Sequence, residues 1–356
     1  MAYERRNIAD MHGYVPGKQL RGAETLKLNT NENPYPPAPA VLEALSSITG
    51  EQLRCYPPAA ADDFREVAAR LHSVAPDQVM AVNGGDELLR LAIATFVEPS
   101  RPIGVVEPSY SLYPVLAAAH GSPVVRAESD DDWGVPCDLA ERMNAARVPL
   151  VFVVNPHAPS GKLTSVRTLD ALARDLEGVL VVDEAYVDFV DPELAHDAVE
   201  LTRAHDNVLI LRTLSKGYGL AGLRFGYGIG AASLMAPMLW KTRDSYNVDA
   251  IAQRLACAAL RDQAYARETW AKVRDERARL SAALAERGLS APASQSNFLL
   301  AAARDAQRAR ALHAGLEERG ILVRYFDAPR LDHRLRITVG TPEQDDRLLA
   351  AIDAIR

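Results

Sequence analysis

Between residues 79 and 230 short apolar runs alternate with segments of helical spacing, and that alternation leaves few folds open to the chain. Val79–Val82, Ile103–Val106, Leu150–Val154, Val179–Val182 and Val208–Leu211 are apolar or nearly so and are rich in β-branched residues. Runs this short, bounded by Gly, Pro, Asn and Asp, predict strands buried on both faces. Between them Glu87–Phe96, a segment from Tyr110 to about His120, and Val166–Leu176 carry apolar residues at the period of a helix. Val124-Val125 predicts one more short strand before the acidic loop Asp130–Asp132. Repeated strand–helix–strand units predict an α/β fold, a mostly parallel sheet covered by helices on both faces.

Outside that region the pattern is looser. Pro39–Ile48 and Ala61–Leu71 predict helices, and Val248–Arg287 reads as one long helical region whose many Arg and Glu residues form a solvated face. Asn297–Leu300, Val323 and Leu335–Val339 predict strands of a second, smaller α/β unit, with a helix over Ala306–Arg319 and another closing the chain. A length of 356 residues suits two domains. We expect an arm over 1–28, a large domain over 29–262 and a small domain over 263–356.

Three scattered cysteines (Cys55, Cys137, Cys257) without a CxxC pair form neither a disulfide framework nor a metal site. A net charge of −7 argues against nucleic acid as a partner. No run reaches the roughly 18 apolar residues of a membrane span, and Met1–Arg6 leads into no signal-like apolar stretch. The expectation is a cytoplasmic protein with no metal, nucleic acid or membrane partner.

In open α/β sheets ligands gather beyond the carboxyl ends of the strands. The polar residues of this chain fall at those ends: Gly84-Gly85-Asp86, Tyr110, Asn155, Asp183 with Tyr186, and Ser215-Lys216. The densest stretch is Arg212-Thr-Leu-Ser-Lys216-Gly-Tyr-Gly-Leu-Ala-Gly-Leu-Arg224. A lysine whose pKa is lowered by burial or by nearby cations forms imines with carbonyl groups. Hydroxyls (Thr213, Ser215), an arginine and glycine-freed amides suit a phosphate dianion. Pyridoxal phosphate is the cofactor that needs both. Gly217–Gly222 also fits GxGxxG, but the dinucleotide motif requires its first glycine directly after the strand, and here five residues intervene.

Other positions extend the pattern. Asp183, at the end of an apolar strand, suits a pyridinium nitrogen, whose proton it would hold. The other reading is a strand-end aspartate that caps the next turn. Gly84–Asp86 forms a backbone nest at a helix start, with Asp86 either part of an anion site or a plain cap. Tyr110 is either a stacking residue or a core tyrosine. Arg336, on the apolar run Leu335–Val339, wants a carboxylate or phosphate, and Arg324 is a second anion ligand or a surface ion pair.

Taken together, Ser215-x-Lys with its trailing GLAGLR, Asp183-Glu-Ala-Tyr186, Asn155-Pro-x-x-Pro-x-Gly161, the Asn31-Glu-Asn-Pro34 loop and Leu335-Arg-Ile-Thr338 resemble the fold-type I pyridoxal-phosphate aminotransferases. Tyr14-Val-Pro-Gly-Lys18, the Asn31 loop, Arg54-x-Tyr-Pro57 and Leu335–Thr338 narrow the resemblance to the subgroup that exchanges amino groups between histidinol phosphate and 2-oxoglutarate. The resemblance implies a seven-stranded large-domain sheet and a homodimer. It implies that Lys216 holds the cofactor and moves the Cα proton, that Asp183 pairs with the ring nitrogen, and that Tyr186 bonds the ring's phenolic oxygen. Gly85, Asp86, Thr213, Ser215 and Arg224 would form the phosphate cup and Tyr110 would stack on the ring. Tyr56 would reach the neighbouring subunit's cofactor phosphate, and Tyr14, Arg324 and Arg336 would hold substrate.

One position departs from the family's Asn-Pro-x-Asn-Pro-Thr-Gly. Ala158 stands where the second asparagine donates to the phenolic oxygen, and Ser160 replaces threonine. That donor is absent, or Asn155 or His157 supplies it after a loop shift. His157 is otherwise a loop hydrogen-bonder. The same scaffold also serves aromatic amino acid transamination and the decarboxylation of phosphothreonine-like amino acids. A non-catalytic sensor, the third class, would not need Lys216 and the arginine-lined pocket together.

Overall fold

The computed structural model describes residues 3–18 and 25–355. Residues 1, 2 and 19–24 of the expected arm, and residue 356, lie outside the described residues. Twelve strands are described: β1 (Leu26–Lys27), β2 (Val79–Val82), β3 (Ile103–Glu107), β4 (Val124–Glu128), β5 (Leu150–Val154), β6 (Val179–Asp183), β7 (Val208–Thr213), β8 (Gly226–Gly230), β9 (Phe298–Ala302), β10 (Ile321–Leu322), β11 (Arg324–Tyr325) and β12 (Arg334–Thr338).

Seven of them form one sheet in the order β2-β8-β7-β6-β5-β3-β4, and β8 alone runs against both its neighbours. All five residues of β5 are buried, as are the four of β2, which is what strands covered on both faces require. β8 reads Gly-Tyr-Gly-Ile-Gly because it crosses the start of a helix: a Cβ on Gly226 would stand 2.9 Å from the Gly85 nitrogen. Helix Gly85–Phe96 follows β2, and helices Leu112–His120 and Val166–Asp175 follow β3 and β5.

A second, antiparallel sheet has the order β11-β12-β9. Beside it, β1 of the N-terminal segment pairs in parallel with β10. Helices Gln263–Glu286, Ala306–Glu318 and Pro342–Ala354 bury Val273, Leu280, Leu312, Leu316, Leu348 and Ile352 against Leu299, Leu335 and Ile337 of this sheet. The predicted strand at Val323 is thus two pairings on either side of that residue. Ile321–Leu322 turns to β1, and Arg324–Tyr325 turns to β12.

Two expectations need correction. The region Val248–Arg287 is two helices, Ala250–Arg261 and Gln263–Glu286. They break at Asp262, whose carboxylate caps the second helix by accepting from the Tyr265 N–H at 3.2 Å. Its charged face is also not wholly solvated. Arg277 is buried and donates to the carbonyls of Phe189 and Ser296, each at 2.9 Å, and to Asp191. Glu276 is buried as well, ion-paired to Arg279. A helix at Leu139–Ala145 lies where no helix was expected. Its seven residues carry only Leu139 and Met143 as core contacts, too short a signal for periodicity to register.

Candidate active site

The carboxyl ends of β2, β3, β5, β6 and β7 open on a cavity of about 310 Å³, whose opposite wall comes from Tyr14, Asn29–Asn31, Arg324, Phe326 and Arg336. Lys216 sits in the loop after β7, its Nζ donating to the Thr30 carbonyl at 2.8 Å and standing 5.9 Å from the centre of the Tyr186 ring. Burial, then the positive charge of Arg336, lowers its pKa to about 8. At pH 7 that leaves roughly a tenth of it as free amine, several-hundred-fold more than an ordinary lysine offers.

Asp183 ends β6 as a buried carboxyl. Its Oδ2 accepts from the Tyr113 hydroxyl at 2.7 Å and its Oδ1 from the Ala185 N–H at 3.2 Å. Burial raises its pKa to about 6, and those two donors keep it from rising further. Tyr113 is fully buried, stacked on Phe152 with ring centres 4.7 Å apart. Sequence reasoning missed it. The available signal was its place three residues after Tyr110, in the first turn of helix Leu112–His120.

At the other end lies an anion cradle. Gly84 caps helix Gly85–Phe96 with φ +76°, and the first N–H groups of that helix have no intrahelical acceptor. Arg224, itself left-handed with φ +56°, places Nη1 3.3 Å from Ser215 Oγ and Nη2 3.4 Å from Asp86 Oδ2. Thr213 Oγ1 accepts from the Ser215 N–H at 3.1 Å. Asp86 is not the cap but a first-turn residue, and it also accepts from the Tyr110 hydroxyl at 3.2 Å. Tyr110 in turn meets the Tyr14 ring edge-on at 6.0 Å.

The wall facing Lys216 is cationic and short of partners. Arg336 donates through Nη2 to the Asn29 carbonyl at 2.9 Å, while its Nε is buried with no hydrogen-bond partner. Asn29 Oδ1 and Thr30 Oγ1 are unpartnered too. Burial and the neighbouring Arg324 hold the Arg336 pKa below its ordinary value. The Arg324 guanidinium lies 5.4 Å from the centre of the Phe326 ring. Tyr186 accepts from Asn31 Nδ2 at 3.0 Å, and burial raises its pKa.

Twelve of the fourteen expected site residues therefore line one cavity, and Asn155 and Tyr56 do not. Asn155 is fully buried, its carboxamide accepting from the Thr164 N–H at 2.7 Å and donating to the Thr164 carbonyl at 3.1 Å. It pins the loop rather than facing the cavity. Tyr56 is 80% exposed and stacks on Tyr246 at 4.4 Å. His157 bridges Ser160 and the Pro108 carbonyl, each at 2.7 Å, so neither it nor Asn155 replaces the donor missing at Ala158. Beneath the site a network escaped sequence reasoning. Glu184 accepts from Arg212 at 2.8 Å and contacts His196 at 2.9 Å, and against the cost of burial these partners hold its pKa low.

An amine of lowered pKa, a buried carboxyl and a cradle of helix N–H groups, hydroxyls and guanidinium fit pyridoxal phosphate. Arg336, which lines the same cavity and whose buried Nε has no partner, is a candidate ligand for a second anion. Among the described residues no cluster of His, Cys, Asp and Glu could hold a metal ion, and no helix is long and apolar enough to cross a membrane.

Comparison with known proteins agrees. A family model described as aminotransferase class I and II matches residues 23–352. Histidinol-phosphate aminotransferase 1 of Trichormus variabilis is 42% identical over 351 residues, 98% of each chain. Histidinol-phosphate aminotransferase of Syntrophotalea carbinolica is 43% identical over 349 residues, again 98% of each. Among solved structures, histidinol-phosphate aminotransferase from Sinorhizobium meliloti in complex with pyridoxal-5'-phosphate superposes with a TM-score of 0.92 at 27% identity, covering 100% of this chain and 99% of that one.

Proposed function

The chain belongs to the class I and II aminotransferases, and from that premise we propose that it exchanges an amino group between L-histidinol phosphate and 2-oxoglutarate, with pyridoxal phosphate as its cofactor. When bound, the cofactor supplies an electron-withdrawing ring that stabilises the carbanion left at Cα once a proton is removed. Lys216 Nζ is the amine that holds the cofactor and then carries the Cα proton. Its lowered pKa suits it to both tasks. Asp183, as carboxylate, keeps a proton on the ring nitrogen, and Tyr113 orients it. Tyr186 donates to the ring's phenolic oxygen and Tyr110 stacks on the ring. Gly85, Asp86, Thr213, Ser215 and Arg224 bind the phosphate.

Arg336, Arg324 and Tyr14 hold the substrate's phosphate or, in the other half-reaction, the carboxylate of glutamate. The observation that carries this reading is the orphaned Arg336 Nε, in the same cavity as a lysine of lowered pKa and a buried carboxyl. We take 29–262 as the cofactor-binding domain, 1–28 as an arm and 263–356 as the small domain. We take the working enzyme to be a cytoplasmic homodimer, consistent with three free cysteines, and Tyr56 to serve the neighbouring subunit.

The test is a stopped-flow half-reaction of the cofactor-loaded protein with histidinol phosphate, phenylalanine, tyrosine and phosphothreonine. Histidinol phosphate should have the highest kcat/KM. A preference for an aromatic amino acid overturns the substrate, and carbon dioxide release from phosphothreonine overturns the reaction. Lys216→Ala should lose the cofactor that borohydride otherwise fixes to the chain.

A further inference from the structure

Asn31 has φ +56°, a left-handed conformation that asparagine tolerates better than most residues and that its surroundings hold in place here. Thr338 of β12 does so. The Asn31 N–H donates to the Thr338 hydroxyl at 3.0 Å, and that hydroxyl donates to Asn31 Oδ1 at 3.1 Å. Asn297 Nδ2 donates to the Asn31 carbonyl at 3.0 Å. With Oδ1 occupied, the amide presents its NH2 to Tyr186 and donates to the hydroxyl oxygen at 3.0 Å. Turning the amide over would leave the Thr338 proton facing an NH2, a buried donor without an acceptor. Tyr186 therefore accepts from Asn31, and its own proton points elsewhere. Its hydroxyl has no other hydrogen-bond partner among the described residues, and Tyr186 lines the cavity.

We propose that Asn31 is a positioning residue that commits the Tyr186 hydroxyl to donate into the cavity, and that Thr338 sets the direction of the Asn31 amide. The relay runs from the second sheet through the loop before Pro34 to a residue beyond β6. Its target is an anionic oxygen of the bound ring, so the inference rests on the cofactor reading above. Ala158 contributes no donor here, and Asn155 and His157 are engaged elsewhere, so Tyr186 carries the contact alone.

A donor to the ring oxygen stabilises its negative charge and lowers the pH midpoint of the bound cofactor's visible absorbance. Replacing Asn31 by a carboxylate reverses the bond: the Tyr186 proton turns toward Oδ and away from the ring. In the loaded protein Asn31→Asp should raise the midpoint by about one pH unit or more, the scale of a charge-assisted hydrogen bond. Asn31→Ala, which leaves Tyr186 its proton, should move it by less than about half that. Adding Asn31→Asp to Tyr186→Phe should move the midpoint no further than Tyr186→Phe alone. Thr338→Val, which frees the amide to turn, should raise it by an intermediate amount. Equal shifts for Asn31→Asp and Asn31→Ala overturn the proposal. So does an Asn31→Asp shift that persists undiminished in the Tyr186→Phe background, which would be a bare charge effect. If Asn31→Asp does not fold, an unchanged midpoint in Thr338→Val overturns it. Wild-type protein that develops no visible band with pyridoxal phosphate overturns the cofactor reading and this inference together, whereas a band with unresponsive midpoints overturns this inference alone.

Discussion

Asp183 is useful to a pyridinium only as a carboxylate, yet burial raises its pKa to about 6, and the Tyr113 hydroxyl is the first group holding it down. The cofactor-free protein keeps this proton up to about pH 6, where the unfolded chain loses it near an ordinary aspartate's pKa. The group's stabilising contribution is thus full in acid and falls as pH rises through about 6. Affinity for pyridoxal phosphate should run the opposite way, rising through that pH as the carboxylate forms. Tyr113→Phe removes the donor and should displace the rise to higher pH. Cofactor binding measured by fluorescence between pH 5 and 8 checks it, and an unmoved midpoint denies Tyr113 its role. Ala158→Asn restores a donor on the cavity wall and should lower the midpoint of the loaded protein's visible band. An unchanged spectral titration would show that the substitution matters to nothing at the ring. At this scale the sequence was legible where chemistry is local: Lys216, Asp183 and Arg224 stand out by neighbours along the chain. Tyr113 and Asn31 were not, because their partners lie 70 residues away at Asp183 and 155 away at Tyr186.

Among the elements, the anion cradle depends on how closely helix Gly85–Phe96 lets Arg224 approach. A Cβ on Gly84 would stand 2.6 Å from Arg224 Nη2, and φ +76° is strained for any side chain. Gly84→Ala should therefore push the guanidinium off the helix start and weaken cofactor binding about tenfold or more, the scale of one charge-assisted contact plus backbone strain. Gly50→Ala, where no atom lies within 4 Å, is the control and should leave the dissociation constant unchanged. The strands of the large sheet could be read from their apolar runs, since burial on both faces leaves a strand no polar alternation to confuse it. The second sheet was harder. β10 and β11 are two residues each and are defined by different partners, so no periodicity could show them. The break at Asp262 escaped for a related reason: both flanking helices carry apolar residues at helical spacing, and only the Asp262 cap, which accepts from the Tyr265 N–H, marks the boundary.

At the scale of the whole molecule, two stretches of the chain carry most of the large apolar side chains left in solvent among the described residues. Of the exposed large hydrophobics among the described residues, Leu42, Leu45, Leu53 and Tyr56 fall in one short segment, and Trp240 and Tyr246 in another. The two segments meet where the Tyr56 and Tyr246 rings stack at 4.4 Å, and near Trp240 the Arg65 guanidinium lies 5.9 Å from the ring. A patch of that composition suits a protein interface better than free surface, aromatic residues being enriched at interface cores. On the proposed homodimer Tyr56 would then be at the edge of a second copy's cavity, and each phosphate cradle would gain a hydroxyl that its own chain cannot supply. Trp240→Glu combined with Leu53→Glu should shift the protein from dimer to monomer in sedimentation velocity, because each places a charge where desolvation would be required. Neither residue lines the chain's own cavity, so fold and Lys216 geometry should persist. The monomer should nevertheless bind pyridoxal phosphate more weakly, and Tyr56→Phe in the intact dimer should reproduce part of that loss without dissociation. A monomeric variant that retains full cofactor affinity would break the link between assembly and the site. A wild-type protein that sediments as a monomer would remove the partner altogether.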